Sequence, residues 1–399
     1  MSLLPVEAAL EKIYARIPAP SPESVALRGA EGRVLFQPLI AAHNQPPFNA
    51  SAMDGYAVQT AFLEGSDSAT LTGFSKAGEA FSGRMEPHQT VRIFTGAPVP
   101  EGADAVIMQE EASVLADRVS FSSKPKPGDF IRPVGNDFRD RQVLLPAGAR
   151  LTPYSLTLAA AANQPLLTVS RRPTVSILAT GDELVLPGAK LGPSQIVSAN
   201  NFGLEALLKP HAESVTDLGI ADDNAANLER TLRNAFAAGT DILVTSGGAS
   251  VGDHDIVQDV LKSLNVEMDF WRINLRPGKP LMFGTLGRTL IFGLPGNPVS
   301  ALVTATLFLL PTLRRWVGAD PTGPRLRLPL AAELPANGSR RHFQRATLET
   351  SAAGTFVRPI TETDSGHTFS LGQAQALIIQ PENAPLQQAG TLIDVIPLV

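Results

Sequence analysis

Asp241-Ile242-Leu243-Val244-Thr245 runs straight into Ser246-Gly247-Gly248-Ala249-Ser250-Val251-Gly252-Asp253-His254-Asp255. An apolar, β-branched run of this length reads as a buried strand, and the glycines that follow end it. The same grammar recurs on both sides. Upstream, residues 174–179 (TVSILA) lead into Thr180-Gly181-Asp182-Glu183-Leu184. Downstream, TLIF leads into Gly293-Leu294-Pro295-Gly296-Asn297-Pro298-Val299-Ser300. Helical spacing occupies 201–208, 225–237, 256–264 and 299–310, and further strands read at 214–219, 269–274 and 290–293. From about 172 to 318 strand and helix alternate, which predicts an α/β domain of three layers built on a mostly parallel sheet.

The rest of the 399 residues has a different texture. Residues 1–45 and 140–172 read as helical and form a predicted N-terminal helical/linking domain. Residues 46–139 carry Gly, Pro and short strand-like runs, a β-rich domain inserted between those helical pieces. The α/β domain is expected over 173–320. Short strand candidates between turn residues over 321–399 predict a small C-terminal β-barrel.

Composition excludes several chemistries. There is no cysteine, so disulfides, thiolate zinc sites and a Cys nucleophile are out. The six histidines, His43, His88, His211, His254, His342 and His367, show no pair at metal-ligand spacing. A metal would be held by oxygen, which favours Mg²⁺. The formal net charge of −5 gives no overall basic face for nucleic acid. The first helix is broken by charges and does not read as a signal peptide. The longest apolar run, 301–310, stops at Pro311 and is too short to span a bilayer. A cytoplasmic protein is expected.

In an open α/β sheet, ligands bind outside the carboxyl ends of the strands, and here those ends carry the unusual residues. Ser246-Gly247-Gly248 offers backbone N–H groups with no side chains in the way, suited to an oxyanion. Asn297 before Pro298 reads as the N-cap of the next helix, whose free N–H groups suit an anion. Arg276 and Lys279 flank Pro277-Gly278, and Arg340, Arg341 and Arg345 cluster around Phe343. Of the carboxylates, Asp223 reads equally as a cap for the helix near Ala225 or as a metal ligand. Asp253 and Asp255 sit in a loop built for anions, and a bridging cation accounts for their charge. Any single Gly turn is explained by an ordinary capped βα connection; several on one edge are not.

These motifs, in order, resemble the molybdopterin molybdenumtransferase family (MoeA and the gephyrin E domain). The resemblance rests on SAMDGYAV at 51–58, IFTGAPVPEGADAVIMQEE at 93–111, RPVGNDF at 132–138, TGDEL at 180–184, SGGASVGDHD at 246–255, RPGKP at 276–280 and GLPGNPVSA at 293–301. It covers nearly the whole chain and is weakest in the tail. Asn49-Ala50 departs from the family's usual Asp-Asn before SAMDG.

The resemblance implies Mg²⁺-dependent insertion of molybdate into adenylylated molybdopterin, with release of AMP. It implies a homodimer whose cleft lies between the central domain of one subunit and the second domain of the other. It implies catalytic roles for Asp54, Glu183, Asp223, Asp253 and Lys279, and metal ligation by Asp253, Asp255 and Glu183. Thr95, Gly181, Asp182, Ser246, Gly247, Gly248, Ser250, Arg276, Pro295, Asn297, Pro298, Arg341 and Ser370 are the implied substrate contacts. A molybdopterin adenylyltransferase and apo-molybdoenzymes are the implied protein partners; no nucleic acid or membrane is expected. Two other readings compete: a molybdopterin adenylyltransferase, whose fold resembles the central domain, and a non-catalytic scaffold of the gephyrin type.

Overall fold

The computed structural model describes residues 3–248 and 256–398. The chain divides into two compact units, Met1–Glu23 with Ser170–Val399, and Ser24–Val169.

The larger unit is built on a six-stranded sheet. Its strands are β1 (Thr174–Thr180), β2 (Ser214–Ala221), β3 (Ile242–Ser246), β4 (Glu267–Arg272), β5 (Pro280–Leu286) and β6 (Thr289–Leu294), in the order β2-β1-β3-β6-β5-β4. The β1–β2, β1–β3 and β3–β6 pairings are parallel; β5–β6 and β4–β5 are antiparallel. All five residues of β3 are buried, as a central strand covered on both faces requires.

Four helices follow the sequence spacing: α1 (Asn200–Leu208), α2 (Ala225–Ala237), α3 (Ile256–Ser263) and α4 (Pro298–Thr304). Leu228, Leu232 and Ala235 form the buried stripe of α2, and Val257, Val260 and Leu261 that of α3. Leu228, Leu232, Val257, Val260 and Leu261 join Leu178, Leu243 and Ile291 of the sheet in one apolar core.

One element is added and one expectation corrected here. No strand is expected between 274 and 290, yet Pro280–Leu286 is β5, paired with β6 across the two-residue turn Gly287-Arg288. The domain is therefore mixed at one edge. The apolar helix was expected to stop at Pro311, and it continues to Trp316. A π turn over Ala305–Leu309 precedes the segment Leu310–Trp316, so Pro311 stands near the start of a new α-helical stretch, where its missing N–H matters little.

The tail forms a small β-barrel. Leu326–Pro329, Leu392–Pro397, Ala376–Gln380, Arg341–Ser351 and Gly354–Pro359 pair in that order, and Leu330 bridges back to Val357. Leu275–Arg276 adds alongside Arg341–His342 in parallel.

In the smaller unit, six strands pair in the order Ala105–Met108, Gly55–Val58, Gln89–Ile93, Ser68–Ser75, Arg118–Phe121, Ala112–Leu115. This is the β-rich sheet expected within 46–139. The helical texture expected of residues 1–45 is met by Val6–Arg16, which belongs to the larger unit, and by a 3₁₀ turn at Leu27–Gly29, and that of 140–172 by Pro153–Ala161. Short strands and turns fill most of the remainder, with Ala30, Leu35, Leu39, Leu151, Leu167 and Val169 in a shared core.

His342 offers a stability probe. Burial, and then the positive charge of Arg276 beside it, pull its pKa down to about 4. An unfolded imidazole titrates near 6.5, so between these values the unfolded chain binds the extra proton. This contribution is fully present above pH 6.5 and is lost as pH falls toward 4, by on the order of 3 kcal/mol. Denaturant titrations between pH 7 and 4.5 should show this decline, with a smaller slope in His342→Gln.

Candidate active site

The topology sets the order of chemistry along one edge of the sheet. Strands β1, β2, β3 and β6 all end there, β4 ends there, and β5 begins there. Reading across the edge, Asp223 follows β2, Glu183 follows β1, Ser246-Gly247-Gly248 close β3, and Pro295-Gly296-Asn297 follow β6. Arg272, Arg276 and Lys279 lie at the end of β4 and in its connection to β5. At about 4.8 Å per strand, the span from β2 to β5 is roughly 20 Å. Carboxylates thus stand at one end, backbone donors in the middle and cations at the other.

All of these residues line one cleft of about 1470 Å³. Arg272, Arg276, Lys279 and Arg340 enter it with no side-chain hydrogen bond or ion pair among the described residues. Cations gathered in this way suit a multiply charged anion. At and beside this edge, Thr180 Oγ1 and Asn200 Oδ1, both on residues of the cleft, and Thr245 Oγ1 are buried without a partner among the described residues. Buried polar atoms are ordinarily satisfied, so such a group marks a place where a ligand or water completes the bonding.

The middle of the edge depends on glycine. Gly247 and Gly248 have φ of 96° and 61°, in the left-handed region. A Cβ at Gly247 would lie 2.5 Å from the Thr180 carbonyl oxygen, and one at Gly248 would lie 2.2 Å from Val257 Cγ2.

Among the expected site residues, Gly181, Glu183, Asp223, Ser246, Gly247, Gly248, Arg276, Lys279, Pro295, Asn297 and Pro298 share this cleft. Asp182 plays a supporting part: its Oδ1 accepts from the Asp223 N–H at 2.8 Å and so fixes the turn. Asp223 does not cap the helix. Asn224 does, accepting from the Ala226 and Asn227 N–H groups at 3.0 and 3.1 Å. That leaves the Asp223 carboxylate exposed to the cleft.

Asn297 holds the N-cap position before Pro298, but its side chain makes no capping bond. Its Nδ2 donates to Ser365 Oγ at 2.7 Å, and the Ser365 carbonyl accepts from the Val299 N–H at 3.1 Å. The helix start is therefore closed by a tail loop, where an open anion site was expected. Ser250, Asp253 and Asp255 lie outside the described residues.

Arg341 and Ser370 are engaged elsewhere. Arg341 forms ion pairs with Glu7 and Glu382, while its neighbour Arg340 faces the cleft. Ser370 is buried and accepts from Arg345 at 2.6 Å. The same guanidinium donates to the carbonyls of Glu362, Asp364 and His367 at 2.6, 3.0 and 3.2 Å. Arg345 thereby shapes the loop whose Thr363, Ser365, Gly366 and Thr368 border the cleft.

Asp54 and Thr95 belong to the smaller unit and are bonded to each other. Asp54 Oδ1 accepts from the Thr95 N–H at 2.7 Å and from its hydroxyl at 2.8 Å, which holds the carboxyl below its ordinary pKa.

Sequence reasoning missed Arg272, Asn200 and the 363–368 loop. Arg272 was legible as a cation at a strand end. The other two depend on tertiary contacts.

Comparison with known proteins identifies the family. Residues 4–163 match the MoeA N-terminal region (domain I and II), 176–315 a "probable molybdopterin binding domain", and 327–398 the MoeA C-terminal region (domain IV). A molybdopterin molybdenumtransferase of Haemophilus influenzae is 40% identical over 79% of this chain and 78% of its own. The chain belongs to the molybdopterin molybdenumtransferase family. These are transferases of molybdenum cofactor biosynthesis. A family member from Nostoc is 35% identical over 90% of this chain and 85% of its own. The crystal structure of a molybdopterin biosynthesis MoeA protein from Pyrococcus horikoshii superposes with a TM-score of 0.85 at 28% identity, covering 99% of both chains.

Gly247→Ala tests the glycine turn. It is expected to destabilise the fold by about 1–3 kcal/mol in denaturant unfolding and to lower transferase turnover roughly tenfold or more by displacing the donors.

Proposed function

We propose that this enzyme inserts molybdate into adenylylated molybdopterin and releases AMP, in a Mg²⁺-dependent reaction. The observation that carries this reading is the order of charge along the sheet edge. Such a substrate has a phosphoanhydride to cleave and a dithiolene to fill, and its second substrate is a dianion. A cleft with carboxylates at one end, lined by four cations that have no side-chain partner among the described residues, suits that combination.

The residues present fit Mg²⁺. Glu183 and Asp223 are exposed carboxylates on neighbouring strand ends, and Mg²⁺ is commonly held by one or two carboxylates plus substrate phosphates. Glu183 and Asp223 would hold it, joined by Asp253 and Asp255. When bound, Mg²⁺ neutralises phosphate oxygens and makes the phosphoanhydride easier to break.

The chain's own groups do the rest. The Gly248 N–H and the Ser246 hydroxyl hold a phosphate where charge develops as AMP leaves, while the Gly247 N–H is spent on the Leu294 carbonyl. Arg276 and Lys279 bind molybdate, with Arg272 and Arg340 adding positive potential. Asp54, kept ionised by Thr95, takes its catalytic assignment from its motif. The four-domain division, the homodimer, a molybdopterin adenylyltransferase as supplier and apo-molybdoenzymes as acceptors all belong to this proposal.

The test is AMP release by the purified protein given adenylylated molybdopterin, molybdate and Mg²⁺. Chelation should stop release and added Mg²⁺ restore it, while Lys279→Ala and Asp223→Asn should each lower kcat/KM by roughly a hundredfold. Absence of AMP from folded wild-type protein would overturn the proposal. ATP consumption in its place would favour the adenylyltransferase reading.

A further inference from the structure

Two turns of the cleft leave neighbouring strands, β3 and β6, and a residue from a third element ties them together. Asn200 opens α1. Its Nδ2 donates to the Gly296 carbonyl at 2.7 Å and to Ser246 Oγ at 2.8 Å. A carbonyl only accepts, so the amide nitrogen must face Gly296 and the orientation of the side chain is fixed. Its Oδ1 is turned away, buried and without a partner among the described residues.

This has a consequence for Ser246. Its oxygen accepts from an amide nitrogen that has no lone pair to offer in return. The hydroxyl hydrogen must point elsewhere, and no acceptor for it exists among the described residues. Ser246 is 3% exposed and lines the cleft, so this hydrogen belongs to a group that is sheltered from bulk water. A hydroxyl whose lone pair is already taken by Asn200 keeps its hydrogen for another partner, and so is a ready donor to an oxyanion.

We propose that Asn200 is a positioning residue that turns the Ser246 hydroxyl into the cleft as a donor to an oxyanion and locks the 246–248 turn to the 295–297 turn. The proposal rests on the function given above, in which that oxyanion is a phosphate oxygen of the nucleotide or a molybdate oxygen.

A double-mutant cycle tests it. Wild type, Asn200→Ala, Ser246→Ala and the double variant are titrated separately with AMP and with molybdate, and AMP release is measured alongside. Each single change is expected to weaken binding of one of the two anions roughly tenfold or more. The arm that responds names the oxyanion. The double variant should bind that anion within about twofold of Ser246→Ala, because the two act through one bond.

Asn200→Asp keeps the shape and reverses the polarity. The new carboxylate accepts the Ser246 hydrogen and draws it away from the cleft, loses the donor to the Gly296 carbonyl and adds a negative charge, so this variant should bind the responding anion at least as weakly as Ser246→Ala. It also carries the test if Asn200→Ala fails to fold. Losses that multiply in the double variant, or wild-type anion binding by Asn200→Asp, would overturn the proposal. Wild-type protein that releases no AMP, in a cycle that still shows the coupling, would sink the assigned reaction and leave the role of Asn200 standing.

Discussion

The site depends on the close approach of two backbones. The turns after β3 and β6 meet where glycine faces glycine: a Cβ built on Gly296 would lie 3.6 Å from the Gly247 Cα. The parallel β3–β6 pairing brings these ends together, with Ser246 in register with Leu294, and the Gly247 N–H donates to the Leu294 carbonyl at 3.2 Å. With side chains kept out, backbone donors and the Ser246 hydroxyl occupy the space where side chains would otherwise stand. Thr180 Oγ1, without a partner among the described residues, lies beside the same turn, 3.0 Å from a Cβ built on Gly247. An environment so lined is poor for the empty fold and good for a charged guest.

Charge is distributed by topology. Parallel strands β1 and β2 end in Glu183 and Asp223, while the antiparallel β4–β5 connection carries Arg276 and Lys279. The reversal of strand direction at the β6–β5 edge brings a cationic connection to the edge that the βα turns already occupy. The barrel reaches the cleft through a loop shaped by Arg345 and fastened to Asn297 by Ser365. Its buried guanidinium is balanced by loop carbonyls and Ser370, so the tail contributes form to the site as well as the charge of Arg340.

The parallel core was legible because β-branched runs and helical stripes alternate without ambiguity from 174 onward, and α2 matches its spacing at both ends. The strand Pro280–Leu286 was hidden by its own sequence. Its leading proline and internal Gly284 blur the strand pattern after Arg276-Pro277-Gly278-Lys279, although Gly287-Arg288 between two apolar runs is a hairpin signal. Much of the cleft could be read as unusual residues at strand ends. Arg341 and Arg340 could not be told apart, because neighbours on a strand face opposite ways and only the partners Glu7 and Glu382 show which is occupied. Asn200 was invisible for the same reason: its importance lies in two bonds to residues 46 and 96 positions away.

The central claim is that one cleft binds a nucleotide phosphate and molybdate together at the glycine edge. The most direct measurement is a crystal structure with AMP, molybdate and Mg²⁺ present. The account predicts a phosphate against the Ser246–Gly248 turn and molybdate against Arg276 and Lys279, within a single continuous cleft. Ordered anions bound only on other surfaces, with the glycine edge vacant at saturating ligand, would contradict it.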